Sequence, residues 1–156
     1  MPLLRWLAGL FSVLVIACAT SSPPGSRQAP HTVDRAAIVQ TATAMIGAPY
    51  RYGGSSPRGF DCSGLVVYSY AKGGLGGLPH SAAALSRLAT PVSLDDLEPG
   101  DLLFFTLSGH KTSHVGIYVG DRAFVHAPSG GKHVEKVGFE HVYWRRKLER
   151  AGRLIP

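Results

Sequence analysis

One cysteine and two histidines carry the chemistry legible in this chain. Cys62 stands in the run Phe60, Asp61, Cys62, Ser63, Gly64, followed by an apolar stretch that begins at Leu65. Residues 52–59 are crowded with Gly, Ser and Pro and resist helix, so the cysteine falls in the first turn of the helix that follows. Backbone N–H groups at that end favour negative charge. They favour thiolate over thiol, and the thiolate is the nucleophile. His114 and His126 lie downstream in strand-like runs, one before Val115, Gly116 and Ile117, the other after Phe124 and Val125. A thiol, an imidazole to take its proton and a second polar ring to orient the first make the logic of a cysteine hydrolase. Singly, Cys62 reads as a small buried hydrophobe and each histidine as a core residue; together they do not. Asp61 suits a helix N-cap, a role that Ser63 shares less clearly.

Other patterns carry less. Ser69 and Lys72 have the S-x-x-K spacing of penicillin-binding enzymes, but the chain is short for that fold and Ser69 sits within an apolar helix. His110 and His114 have the spacing of a zinc helix without its Glu, and Gly109 beside them argues for a loop.

The elements that must position these residues follow from periodicity and punctuation. Residues 32–46 read as a helix capped by Thr32, with Gly47 and Pro49 ending it. Residues 63–72 form the buried helix behind the cysteine, and Ser81 caps a short helix over 82–88. Residues 91–100 read as a loop. Strands are expected at 101–105, 114–119, 123–127 and 134–137, with a hairpin at Gly120, Asp121 and Arg122. Residues 141–150 read as helical, and 153–155 as a last edge strand. Helices first and an antiparallel meander second give an α+β class, N-terminal helices on a central antiparallel sheet.

The chain has 156 residues, enough for one domain with its own core. Its two cysteines, Cys18 and Cys62, serve different purposes, so no disulfide is expected. Residues 1–17 read as an export signal, with Arg5 ahead of an apolar run too short to span a bilayer. Val15, Ile16, Ala17 and Cys18 resemble a bacterial lipobox, which implies lipidation of Cys18. The other reading is ordinary signal cleavage beside a chance cysteine. Residues 18–32 read as the lipidated cysteine and a flexible Ser/Pro/Gly-rich tether. Ala19, by resemblance to Gram-negative lipoproteins, points to an outer-membrane anchor facing the periplasm. The net charge is +6, with Arg145, Arg146, Lys147, Arg150 and Arg153 near the end. That excess suits anionic wall polymers or lipid headgroups, or a solvated helix face. Nucleic acid is not a partner expected of an exported chain.

With these residues in hand, the chain resembles the NlpC-type cell-wall peptidases. Tyr50, Arg51, Tyr52, Gly53 and Gly54 before the Asp61-Cys62-Ser63-Gly64 run match the family in order and spacing. So do the Leu78-Pro79 pair, the 99–105 run, Ser113-His114-Val115-Gly116 and His126-Ala127, within a domain at 33–156. The resemblance implies a papain-like fold and cysteine endopeptidase action on peptidoglycan stem or cross-link peptides, without cofactor or metal. It gives Cys62 the role of nucleophile, His114 that of base and His126 that of orienting residue. Tyr50 falls near the oxyanion position, and Asp61 and Ser63 contact substrate. A thiolate–imidazolium pair is expected at rest, with no buried carboxylate behind it. The chain departs from the family at His80, where Arg is frequent, and at Leu85, where Gln is; both places line the cleft in relatives. A monomer is expected. The readings left open are an inactive peptidoglycan-binding lipoprotein, a zinc hydrolase using Cys62, His114 and His126, and an acyl transferase or amidase.

Overall fold

The computed structural model describes residues 32–130 and 132–155. The export signal, Cys18 and the tether up to residue 31 lie outside the described residues.

The first helix, α1 (Arg35–Ala44), is capped by Asp34, whose carboxylate accepts from the Ala37 N–H at 3.0 Å. The expected cap, Thr32, lies two residues too early; Asp34 holds the extended backbone that a cap needs. Gly47, at φ +90°, turns the chain away as expected. A two-stranded ribbon, β1 (Ser55–Ser56) and β2 (Gly59–Phe60), then delivers the chain to α2 (Cys62–Lys72). Leu65, Val66 and Tyr70 bury one side of α2, and the Tyr70 hydroxyl donates to the Gly100 carbonyl. Helix α3 (Ala82–Leu88) is capped by Ser81 as its sequence requires.

Six strands form the sheet, in the order β3-β8-β4-β5-β6-β7, all antiparallel. They are β3 (Thr90–Val92), β4 (Leu102–Phe105), β5 (His114–Gly120), β6 (Ala123–His126), β7 (Glu135–Gly138) and β8 (Leu148–Arg153). The β5–β6 hairpin turns at Asp121 and Arg122, both at positive φ, the geometry of a two-residue hairpin whose twist matches its strands.

The C-terminus departs from the sequence expectation. Helix α4 (Val142–Lys147) ends at residue 147, and residues 148–153 enter the sheet between β3 and β4. What reads as the end of a helix and a short edge strand is one inner strand. Strand β3 also arises within residues read largely as a loop, because β8 offers it a pairing partner. Such tertiary pairing overrides a weak local signal.

The period of two along β4 divides the core. Leu102 and Phe104 join α1, α2 and α3 on one face of the sheet, while Leu103 and Phe105 pack with Phe124 and Trp144 on the other. The basic C-terminus is largely spent on this framework. Arg150 donates to the Ser86 and Ala89 carbonyls, Arg153 clasps Asp101, and Lys147 donates to the Leu107 carbonyl. Arg145 and Arg146 are exposed on α4, so the free basic surface is smaller than the sequence suggests.

Candidate active site

Cys62 is the first residue of α2, because Asp61 caps the helix through the Gly64 N–H at 2.7 Å. The same carboxylate accepts from the Gly53 N–H at 2.9 Å and the Ser63 hydroxyl at 3.1 Å. It also lies 2.8 Å from Nε2 of His80. Burial works to raise the Asp61 pKa; the Gly64 N–H and the His80 ring outweigh it and hold the carboxyl below its ordinary value. Asp61 is thus the helix cap that its sequence suits, and it also lines the groove. Gly64 permits the arrangement: a Cβ there would meet the Gly54 carbonyl oxygen at 1.9 Å and His80 Nε2 at 2.9 Å.

Cys62 is a free cysteine at the floor of a groove of about 380 Å³, walled by Tyr50, Asp61, Ser63, His80 and Ser113. Burial pushes its thiol up to about 11; the N–H groups of Val115, Ser63 and Cys62 itself pull the other way and do not prevail. The Val115 contact places the sulfur against the start of β5, beside His114.

His114 opens β5 and is 3% exposed. Its ring stacks on Trp144 at 5.1 Å and meets Phe105 at 5.8 Å. Nε2 of His114 lies 2.8 Å from Nδ1 of His126, the last residue of β6. His126 is fully buried, with Trp144 edge-on at 4.4 Å. Burial lowers the His114 pKa to about 4 and that of His126 to about 2, the latter helped by the charges of His114, Lys132 and His141. Both rings are thus neutral at pH 7. Burial of both partners works against the expected thiolate–imidazolium pair, the Asp61 charge adds to that effect on the thiol, and the N–H groups at the helix N-terminus oppose it.

One contributor escaped the sequence. The β6–β7 register sets Glu135 opposite His126, and its Oε1 lies 3.3 Å from His126 Nε2. That nitrogen is buried, and among the described residues it has no aligned hydrogen bond. The carboxylate is at ion-pair distance but imperfectly aimed, with 44% of its side chain exposed. A half-exposed carboxylate, not a buried one, therefore stands behind the histidines. The meander hinted at the pairing, but only the register names the residue. Trp144, which clamps both histidines, had no signal beyond its type. His80, where the chain departs from the family, is exposed on the groove wall and bonded to Asp61. Leu85 is fully buried in the helix-side core and forms no part of the groove wall.

Tyr50 is half-buried on the groove wall. Burial raises its pKa first, and Cys62 and Asp61 add to the effect. Among the described residues, no cluster of three His, Cys, Asp or Glu side chains is placed to hold a metal. The zinc reading of Cys62, His114 and His126 finds no such convergence: Nε2 of His114 faces a ring nitrogen of His126.

Known proteins resemble the chain in sequence and in fold. A Mycobacterium tuberculosis protein named as a probable endopeptidase is 48% identical over 104 residues, 67% of this chain and 26% of that protein. The chain thus spans about a quarter of the mycobacterial relatives it matches. The Escherichia coli protein named probable endopeptidase NlpC is 34% identical over 97% of this chain and 100% of its own length. Among solved structures, the NlpC/p60 domain of the peptidoglycan hydrolase SagA superposes with a TM-score of 0.66 at 33% identity, over 78% of this chain and 99% of that one. These likenesses fit the papain-like α+β fold expected of the sequence. The NlpC/P60 family model matches residues 47–153, taking in Cys62, both histidines and the strand bearing Glu135, and the chain belongs to that family.

Proposed function

We propose that the chain is a cysteine endopeptidase that hydrolyses peptidoglycan stem or cross-link peptides at the cell envelope, held there by lipid on Cys18. The observation that carries the reading is the 2.8 Å contact between His114 and His126 beside a groove floored by Cys62. The family, and the named activities of the relatives, support the same chemistry.

The mechanism starts from neutral partners. His114 donates its Nε2–H to Nδ1 of His126, which leaves the lone pair of His114 on Nδ1 to serve as base. His126 then carries its proton on Nε2, facing Glu135. This chain of tautomers is set by the second ring and the carboxylate behind it. His114 takes the thiol proton as the sulfur attacks the scissile carbonyl carbon, so charge develops only when substrate is present. The Cys62 N–H, at a helix N-terminus, and the Tyr50 hydroxyl stabilise the oxyanion. One such donor contributes roughly 3 kcal/mol. The C–N bond then breaks, His114 returns the proton to the leaving amine, and water, activated by the same ring, releases the acyl group from sulfur. Asp61, Ser63 and His80 wall the acyl side and contact substrate there.

Digestion of purified muropeptides by the full chain and by Cys62→Ala, with products resolved by mass, tests the reading. New fragments are expected from the wild type alone. Identical product profiles would remove the enzyme assignment and leave a wall-binding protein. Metabolic labelling with a fatty acid, comparing Cys18→Ser, tests the anchor.

A further inference from the structure

On the face of the sheet away from α1, α2 and α3 lies a cavity of about 270 Å³ that takes no part in the chemistry above. Its floor is built from Phe105, Phe124 and Trp144, with Leu103 and Leu148 beside them. Each of the three rings also packs against one or both of the paired histidines. Phe105 meets His114 at 5.8 Å and Phe124 meets His126 at 5.2 Å. Trp144 meets His114 at 5.1 Å and His126 at 4.4 Å. A single layer of aromatic rings therefore separates this cavity from the histidines. It shares no lining residue with the Cys62 groove.

The mouth of the cavity is charged. Arg122, from the β5–β6 turn, and Arg145, from α4, stand there with Asp95, and all three are exposed. Among the described residues, no side-chain hydrogen bond or ion pair engages either guanidinium, and Asp95 reaches neither of them. Two guanidiniums against one carboxylate leave the mouth positive. Arg150 and Arg153, by contrast, are spent inside the fold. Arg122 is also held in place. It occupies the turn at φ +53° and lies over the ring of Phe139, another wall of the cavity, at 5.6 Å. A guanidinium stacked by its face keeps the N–H groups on its edge available to an anion.

An apolar floor beneath uncommitted cations is the complement of an amphipathic anion. We propose that this cavity binds an acyl chain of medium length ending in a carboxylate, and that the occupant acts on catalysis through Trp144. The chain lies along Phe105, Phe124 and Trp144, and its carboxylate pairs with Arg122 and Arg145. The volume is below that of a pocket for a drug-sized ligand and suits one short chain. A chain packed against Trp144 adds contacts to that ring. A firmer Trp144 holds His114 nearer to one orientation, which favours proton transfer. The effect on rate rests on the peptidase reading; the binding does not.

The test uses the full chain with Trp6→Phe, which leaves Trp144 as its one tryptophan. Octanoate is titrated while Trp144 fluorescence and the melting temperature are followed. A saturable spectral shift and a rise in melting temperature are expected. Hexanoate, shorter by two methylenes, binds about tenfold more weakly. Octanamide, which lacks the charge, binds more weakly by about tenfold. The double variant Arg122→Gln, Arg145→Gln loses the preference for the acid and keeps the basal rate and melting temperature, because both side chains are exposed. No spectral shift, equal binding of acid and amide, or a preference that survives the double variant overturns the site. Vesicles containing phosphatidylglycerol separate a free acyl anion from a lipid surface; a response to them without one to octanoate marks a membrane contact and overturns the cavity. Saturating octanoate is expected to raise kcat on muropeptides about twofold with KM unchanged. Bound octanoate with no change in kcat overturns the link through Trp144, and a raised KM alone places octanoate in the substrate groove and overturns the site. Absence of muropeptide cleavage overturns the peptidase reading, while fluorescence still decides the cavity.

Discussion

At the scale of single residues, the site is built from groups that burial keeps neutral. Cys62 has the residue type and helix position of an activated thiol, yet its pKa rises from 9.0 to about 11. A group raised in the folded state stays protonated up to the higher value. Iodoacetamide reacts with the thiolate, so its rate on the native protein is expected to climb about tenfold per pH unit from pH 7 to pH 10. In denaturant the same profile bends near pH 9. A native plateau already reached at pH 6 would show a resting ion pair and discard the general-base route. Glu135 offers a second test at this scale. Glu135→Gln keeps an acceptor for His126 but removes the charge that steadies a transient imidazolium. Because the carboxylate is half exposed, the loss in kcat is expected to be modest, about fivefold, with KM unchanged. A larger KM effect would mean that Glu135 meets substrate instead. Glu135→Asp, with a shorter reach, retains part of the rate only if charge is what matters.

Elements convert those residues into a site. The N-terminus of α2 is pressed against the glycine-rich turn before it, and Asp61 fastens the two through three N–H and hydroxyl donors. Gly64→Ala should force that turn away. The cost is about 3 kcal/mol by analogy with overpacked cores, read as a lower urea midpoint, together with loss of activity as Cys62 moves. Wild-type stability in this variant would mean that the turn yields freely and does not position the cysteine. The β5–β6–β7 ladder does the corresponding work for the histidines. Its register, not its hydrophobic pattern, aligns His126 with Glu135. The opposing face of the sheet brings Trp144 against both rings.

Across the whole molecule, the sheet is tied to α1 by a buried charge network. Asp101 is fully buried at the start of β4 and binds Arg153 from β8 and Arg35 from α1. Removing one partner of a buried pair strands the others, at a cost of roughly 3–5 kcal/mol. Partial exposure of both arginines places Asp101→Ala at the lower end, about 3 kcal/mol, measured by chemical denaturation. An effect below about 1 kcal/mol would show the network to be solvated and dispensable. The network also explains why a basic C-terminus does not make a basic face. Arg150 and Arg153 act as struts, and their positive charge is met inside the fold.

The sequence by itself singled out Cys62, both histidines and most of the elements that carry them. Cysteine after a helix-hostile run, imidazoles in alternating apolar strands and turn residues at the hairpin are local signals, each with a local physical cause. The α+β layering followed from their order. Tertiary structure decided what depends on residues distant along the chain. Strand β8 lies inside the sheet because β3 and β4 both present it with unpaired backbone. Glu135 stands behind His126 because strand register brings it there. Burial, a property of the assembled core, raises the Cys62 pKa and lowers that of His114, against the expectation from the helix end alone.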